Sequence, residues 1–81
     1  MAIDYTKLRS PSRELVSALI RDGFVLDRQK GSHQLYRHPD RRLVTVSFHG
    51  SGDTFRIKTL KAMIEIQARW DEADLKRLGL L

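Results

Sequence analysis

The sequence predicts an α+β fold, in the order α-β-β-β-α with a short extra C-terminal helix. Three observations carry this expectation. Leu15, Val16, Leu19 and Ile20 form one apolar stripe at helical spacing. Val44, Val46 and Phe48 alternate with Thr45 and Ser47, the period of a half-buried strand. Gly31-Ser32 and Pro39-Asp40 are turn pairs that cut the intervening chain into runs too short for helices. The simplest arrangement is a three-stranded antiparallel sheet with helices on one face.

The elements follow in order. Residues 1–9 read as a loosely held arm. Ser10 is a candidate N-cap for the first helix, Pro11 suits its first position, and Gly23 can end it. Phe24 to Lys30 is short and opens with aromatic and branched residues, which predicts a strand. The Gly31-Ser32 turn leads into a second strand, His33 to His38, and Leu43 to His49 is the third. A two-glycine loop precedes a helix from about Ile57, with Ile57, Leu60, Ile64 and Gln67–Ala68 expected on its buried face. Asp71 can cap the last helix, whose acids lie in the first turn and whose cations, Lys76 and Arg77, lie in the last. Gly79 is placed to end it. Residues 1–81 are expected to form a single small domain, with its core at about 11–68.

Composition narrows the function. There is no cysteine, so thiolate chemistry and a disulfide framework are excluded. No apolar run approaches membrane-spanning length and the N-terminus lacks a signal pattern, so a cytoplasmic protein with no membrane partner is expected. The 15 Lys and Arg outnumber 10 acids. The excess is local, because Arg28 to Lys61 holds eight cations against Asp40 and Asp53. Such a region favours a polyanion, either nucleic acid or an acidic protein surface.

Histidine is the usual proton carrier near neutral pH. RNA cleavage needs little else: removal of the 2′-hydroxyl proton, a proton for the leaving 5′-oxygen, and cations on the phosphate. His33 opens a strand after the Gly-Ser turn, where backbone N–H groups can face a ligand, with Lys30 before it and Arg37 on its own face. A register that places Leu35 on the Val44/Val46/Phe48 face would place His33 there too, near the start of the long helix. The alternative is a half-exposed strand histidine without a role. His38, beside Pro39, reads as a solvated turn residue. His49 is a second proton carrier, a phosphate donor or a strand-end cap. The histidines do not have metal-ligand spacing, so neither metal nor cofactor is expected. Ser32 and His33 are strand neighbours and do not form a hydrolase dyad. Tyr36 can stack on a base or fill the core, Phe48 is core by its alternation, and Trp70 is packing.

The stretch Glu14 to His49 resembles the signature of HicA toxins, the YcfA-like mRNA interferases. The family pattern has a helix E-L-I-x-x-L-x-x-x-G-F, then R-Q-x-G-S-H, a strand ending near H-P, and R-x-V-T-V. Here these are Glu14 to Phe24, Arg28 to His33, Tyr36 to Pro39 and Arg42 to Val46, with Thr59 to Ile64 similar to a later G-T-L-x-x-I-L helix. The resemblance implies a double-stranded-RNA-binding-domain-like fold and metal-independent mRNA cleavage that inhibits translation. It implies that His33 is catalytic and that a HicB-type antitoxin covers the site. Arg28, Lys30, Ser32, Arg37 and Lys58 are then candidate RNA contacts, with His49 a possible second acid or base. The chain departs from the pattern at Lys58, which replaces a glycine, at Ser47, which replaces a proline, and in a loop, Gly50 to Arg56, that is not lysine-rich. The last segment, from Ala68, extends beyond the shortest members. Two other readings use the same residues: an RNA-binding module that does not cleave, and a subunit whose basic surface serves only an acidic protein partner.

Overall fold

The computed structural model describes residues 3–8, 12–47 and 54–81. A single 3₁₀ turn, Tyr5–Lys7, precedes α1 (Ser12–Asp22). Three strands follow, β1 (Val25–Lys30), β2 (His33–Arg37) and β3 (Leu43–Ser47), paired antiparallel in that order. Helix α2 (Ile57–Lys61) runs on into a wider π-helical stretch, Ala62–Gln67, and α3 (Glu72–Arg77) closes the fold. The expected α+β order is therefore observed. Ser10, Pro11, Phe48 and His49 lie outside the described residues.

Helix α1 stops where the sequence says it should. Gly23 takes φ +106°, its N–H bonds Ile20 O at 3.1 Å, and Phe24 N–H bonds Leu19 O at 2.9 Å. This pair of bonds satisfies carbonyls that the helix end would leave open, and it turns Phe24 into the core. Leu15 and Leu19 are buried as expected, but Ala18 completes the stripe and Ile20 stays 58% exposed. Asp71 caps α3 through a reciprocal pair of bonds with Asp74, at 2.8 and 3.1 Å.

The arm is held more firmly than its sequence suggests. Asp4 Oδ1 accepts from the Thr6 N–H and hydroxyl, which fixes the turn, and Leu8 is buried. The Tyr5 hydroxyl donates to Glu65 on the π-helical stretch.

The register of the second hairpin differs from the expectation. Tyr36 pairs with Val44 and Gln34 with Val46, whereas His33 pairs with Ser47, Leu35 with Thr45 and Arg37 with Leu43. Since paired residues share a face, Tyr36 joins Val44 and Val46 in the core. Tyr36 is core rather than a stacking platform, and Leu35 and His33 lie on the opposite, open face. A shift of one residue exchanges every side chain between faces, and here the larger aromatic ring takes the buried position.

The core lies between that face and the helices, where Leu60, Met63 and Ile64 meet Leu15, Phe24 and Trp70. Trp70 is packing, as expected. Ile57 is 53% exposed, so the buried face of α2 begins at Leu60. The wide winding brings Gln67 to the outer edge of β3, where its Oε1 accepts from Thr45 N–H at 2.9 Å. At the opposite edge, every residue of β1 is exposed.

Candidate active site

The β1–β2 connection has two residues, because Lys30 pairs with His33 across Gly31 and Ser32. Gly31 has φ +59° and Ser32 does not have positive φ, the pattern of a type II′ turn that suits the strand twist. A Cβ on Gly31 would meet nothing within 4 Å, so glycine is needed there for its backbone and not for space.

The turn is braced from behind. Tyr36 OH donates to Gln34 Oε1 at 2.8 Å, Gln34 Nε2 reaches Gln29 Oε1 at 3.5 Å, and Gln29 Nε2 donates to Gly31 O at 3.1 Å. Burial pushes the Tyr36 phenol up, which keeps it a proton donor. Gln29 and Gln34 were not singled out in the sequence. The signal lay in the R-Q-x-G-S-H pattern, where glutamine stands two residues before the turn glycine and can reach its carbonyl.

His33 is exposed at the start of β2 on the open face. Its Nδ1 lies 3.4 Å from Ser47 Oγ on the facing strand, a long contact. Among the described residues Nε2 has no hydrogen-bond partner. Lys30 is the cross-strand neighbour of His33, and Arg28 pairs with Leu35 one step along the same face. Between Leu26 and Arg28 the register slips by a residue, and Asp27 is the extra one. The bulge re-aims Asp27 toward Arg37, whose Nη2 lies 3.3 Å from its carboxylate. Arg37 therefore shares His33's face as expected, but already holds an anion. Ser32 is half-buried in the turn. Lys58 lies on α2, whereas His33, Lys30 and Arg28 are neighbours on the β1–β2 hairpin. His49 lies outside the described residues. Among the described residues no group of three His, Cys, Asp or Glu is placed to hold a metal ion.

His38 is not the solvated turn residue its position suggested. Its side chain is only 18% exposed and its ring meets Phe24 edge-on at 5.0 Å. Nε2 donates to Asp22 O at 2.8 Å, which requires a proton on Nε2. Nδ1 accepts from the Asp40 N–H at 3.1 Å and lies 2.9 Å from the Asp40 carboxylate. His38 ties the β2–β3 turn to the end of α1.

Beside it runs a polar network that sequence reading missed. Asp22 Oδ2 accepts from Trp70 Nε1 at 2.9 Å and lies 3.1 Å from Arg42, and Oδ1 accepts from Arg77 at 3.0 Å. Arg42 also reaches Asp40 Oδ2 at 2.7 Å and Ala68 O at 2.5 Å, with its guanidinium 5.0 Å over the Phe24 ring. Burial alone would raise the Asp22 carboxyl. The bonds from Trp70 and Arg77, and the charge of Arg42, outweigh it and hold the group below the usual carboxylate range.

A small α+β domain with a helix-covered apolar face and a basic open face has a double-stranded-RNA-binding-domain-like architecture. The family model described as HicA toxin of bacterial toxin-antitoxin matches residues 12–79, and the chain belongs to the HicA toxin family. No curated protein matches the chain at a significant level. Among the described residues, no helix is long and apolar enough to cross a membrane.

Proposed function

We propose that the chain is the toxin of a type II toxin-antitoxin pair and acts as a metal-independent endoribonuclease, with His33 as its acid–base residue, in the cytoplasm. The observation that carries this reading is the exposed His33 on the open sheet face of a HicA-family chain, with Lys30 as its cross-strand neighbour. The RNA 2′-oxygen forms a bond to phosphorus while the bond to the 5′-oxygen breaks. His33 transfers one of the two protons through Nε2, with Nδ1 facing Ser47, and solvent water takes or supplies the other. Lys30 and Arg28 neutralise the phosphate charge, which needs no cofactor. A HicB-type antitoxin silences the toxin by covering this face. Residues 1–81 act as one domain.

Incubation of mRNA with the purified chain in EDTA tests the reading. Wild type should cleave, and His33→Ala should lose about a hundred- to ten-thousand-fold in rate with an unchanged circular dichroism spectrum. A folded His33→Ala variant that cuts at the wild-type rate removes His33 from the mechanism. Salt-sensitive RNA binding without products would make the chain a binding module instead.

A further inference from the structure

Two arginines occupy backbone positions that disfavour them. Arg41, in the β2–β3 turn, has φ +80°, and Arg69, after the π-helical stretch, has φ +57°. Helices α1 and α3 both leave through a glycine with positive φ, Gly23 and Gly79, yet the middle helix leaves through Arg69. Glycine takes this conformation without strain, whereas a side-chain-bearing residue is held there at a cost in stability. Neither arginine side chain bonds another described residue. Both line one cavity of about 290 Å³, with Leu43, Ile66 and Gln67. Leu43 is 42% and Ile66 73% exposed. Among the described residues the one acid in its lining, Asp40, is already engaged by Arg42. Ile66 also borders a second depression formed by Lys58, Lys61, Ala62 and Glu65.

From these placements the geometry points to a protein-docking surface, in which an acidic segment of the antitoxin inserts an aliphatic side chain between Leu43 and Ile66 and sets carboxylates on Arg41 and Arg69. It rests on the toxin-antitoxin partnership of the family and not on RNA cleavage. The cavity falls at the small end of small-molecule pockets, about 300–1,000 Å³, which suits a single anchoring side chain. Leu43 and Ile66 are its aliphatic members, and among the described residues its lining holds no aromatic ring, whereas single-stranded RNA is held on aromatic platforms. Exposed aliphatics rimmed by arginine are the anatomy of a protein interface. Lys58 and Lys61 extend the positive rim along α2. The surface lies at the end of the sheet away from His33, because Leu43 pairs with Arg37 and Ser47 with His33. Four residue steps along β3 separate the two ends by about 13 Å. The antitoxin thus grips the toxin here in addition to covering the candidate catalytic face.

Isothermal titration of the full chain with the antitoxin encoded beside it tests the proposal, using wild type, Arg41→Gly/Arg69→Gly and Ile66→Ser. Both variants should weaken binding at least tenfold. The double variant should melt at or above the wild-type temperature, since glycine relieves both positions, and Ile66→Ser removes an exposed side chain with little packing to lose. Affinities within twofold of wild type in both variants overturn the proposal, as does a wild-type chain that does not bind the antitoxin. Unchanged antitoxin affinity with lost RNA cleavage also overturns it and assigns the groove to RNA. A wild-type chain that binds but does not cleave RNA overturns the ribonuclease reading alone.

Discussion

Asp22 is the point at which four parts of the chain meet, and replacing it with asparagine tests how much of the fold depends on them. The carboxylate accepts from Trp70, Arg42 and Arg77 while its own side chain is 10% exposed and that of Arg42 16%. Asparagine keeps the shape but exchanges one acceptor oxygen for an NH₂ group, which must then face a donor. At an effective dielectric of about 20, unit charges about 3 Å apart attract by roughly 5 kcal/mol, and desolvation offsets a large share. A net loss of about 2–4 kcal/mol is expected, below the full cost of breaking a deeply buried pair, because water still reaches both groups. For a domain of this size that lowers Tm by roughly 10–25 °C. Urea and thermal unfolding at pH 7, followed by Trp70 fluorescence and far-UV circular dichroism, measure it. Acid supplies a second readout. The folded-state Asp22 carboxyl sits below its unfolded value, so its contribution is full above about pH 4 and fades as pH falls through the folded pKa. Wild type should therefore lose stability on acidification, and Asp22→Asn should lose less over the same interval. A destabilisation under about 0.5 kcal/mol, or an unaltered acid response, would refute the view that this network holds the fold together.

Other substitutions separate strain, bracing and surface charge. Gly23→Ala should cost about 1–3 kcal/mol, because φ is +106° and the new Cβ would lie 3.0 Å from His38 Nε2. Gly31→Ala should cost less, about 1 kcal/mol, since its φ of +59° is unfavourable but the space is open, and comparative urea melts order the two. Arg37→Ala should change stability by no more than about 1 kcal/mol, as its pair with Asp27 is exposed. Gln29→Ala should leave global stability within about 1 kcal/mol while speeding amide hydrogen exchange at the Gly31–Ser32 turn.

What could be read from the sequence was set by local chemistry. Gly23, the Gly31-Ser32 turn, the Val44/Val46 alternation and the Asp71 cap each act within a few residues, and each is found where expected. The parity of β2 was not legible, because Leu35 and Tyr36 are adjacent apolar residues and either could face the core. Only the fit of the tyrosine ring against Val44 decides between them. Nor could the bulge be foreseen, since the slip between Leu26 and Arg28 breaks the alternation along β1. His38 looked like a turn residue because its partners, Asp22 and Phe24, are brought to it only by the fold. Of the site, the histidine was visible through its motif and the glutamine brace was not.

The Asp22 network also bears on how the chain is made. Asp22 leaves the ribosome early, but its partners Trp70 and Arg77 are 48 and 55 residues further on. A nascent chain can form α1, the sheet and the Asp22–Arg42 pair, yet two of the carboxylate's three partners are missing until Arg77 has been synthesised. Translation products that stop short of Trp70 lack two of the three partners, one of them the tryptophan that seals the core. Completion of the chain and acquisition of a stable fold are thereby linked, and a prematurely released fragment does not persist as a folded toxin.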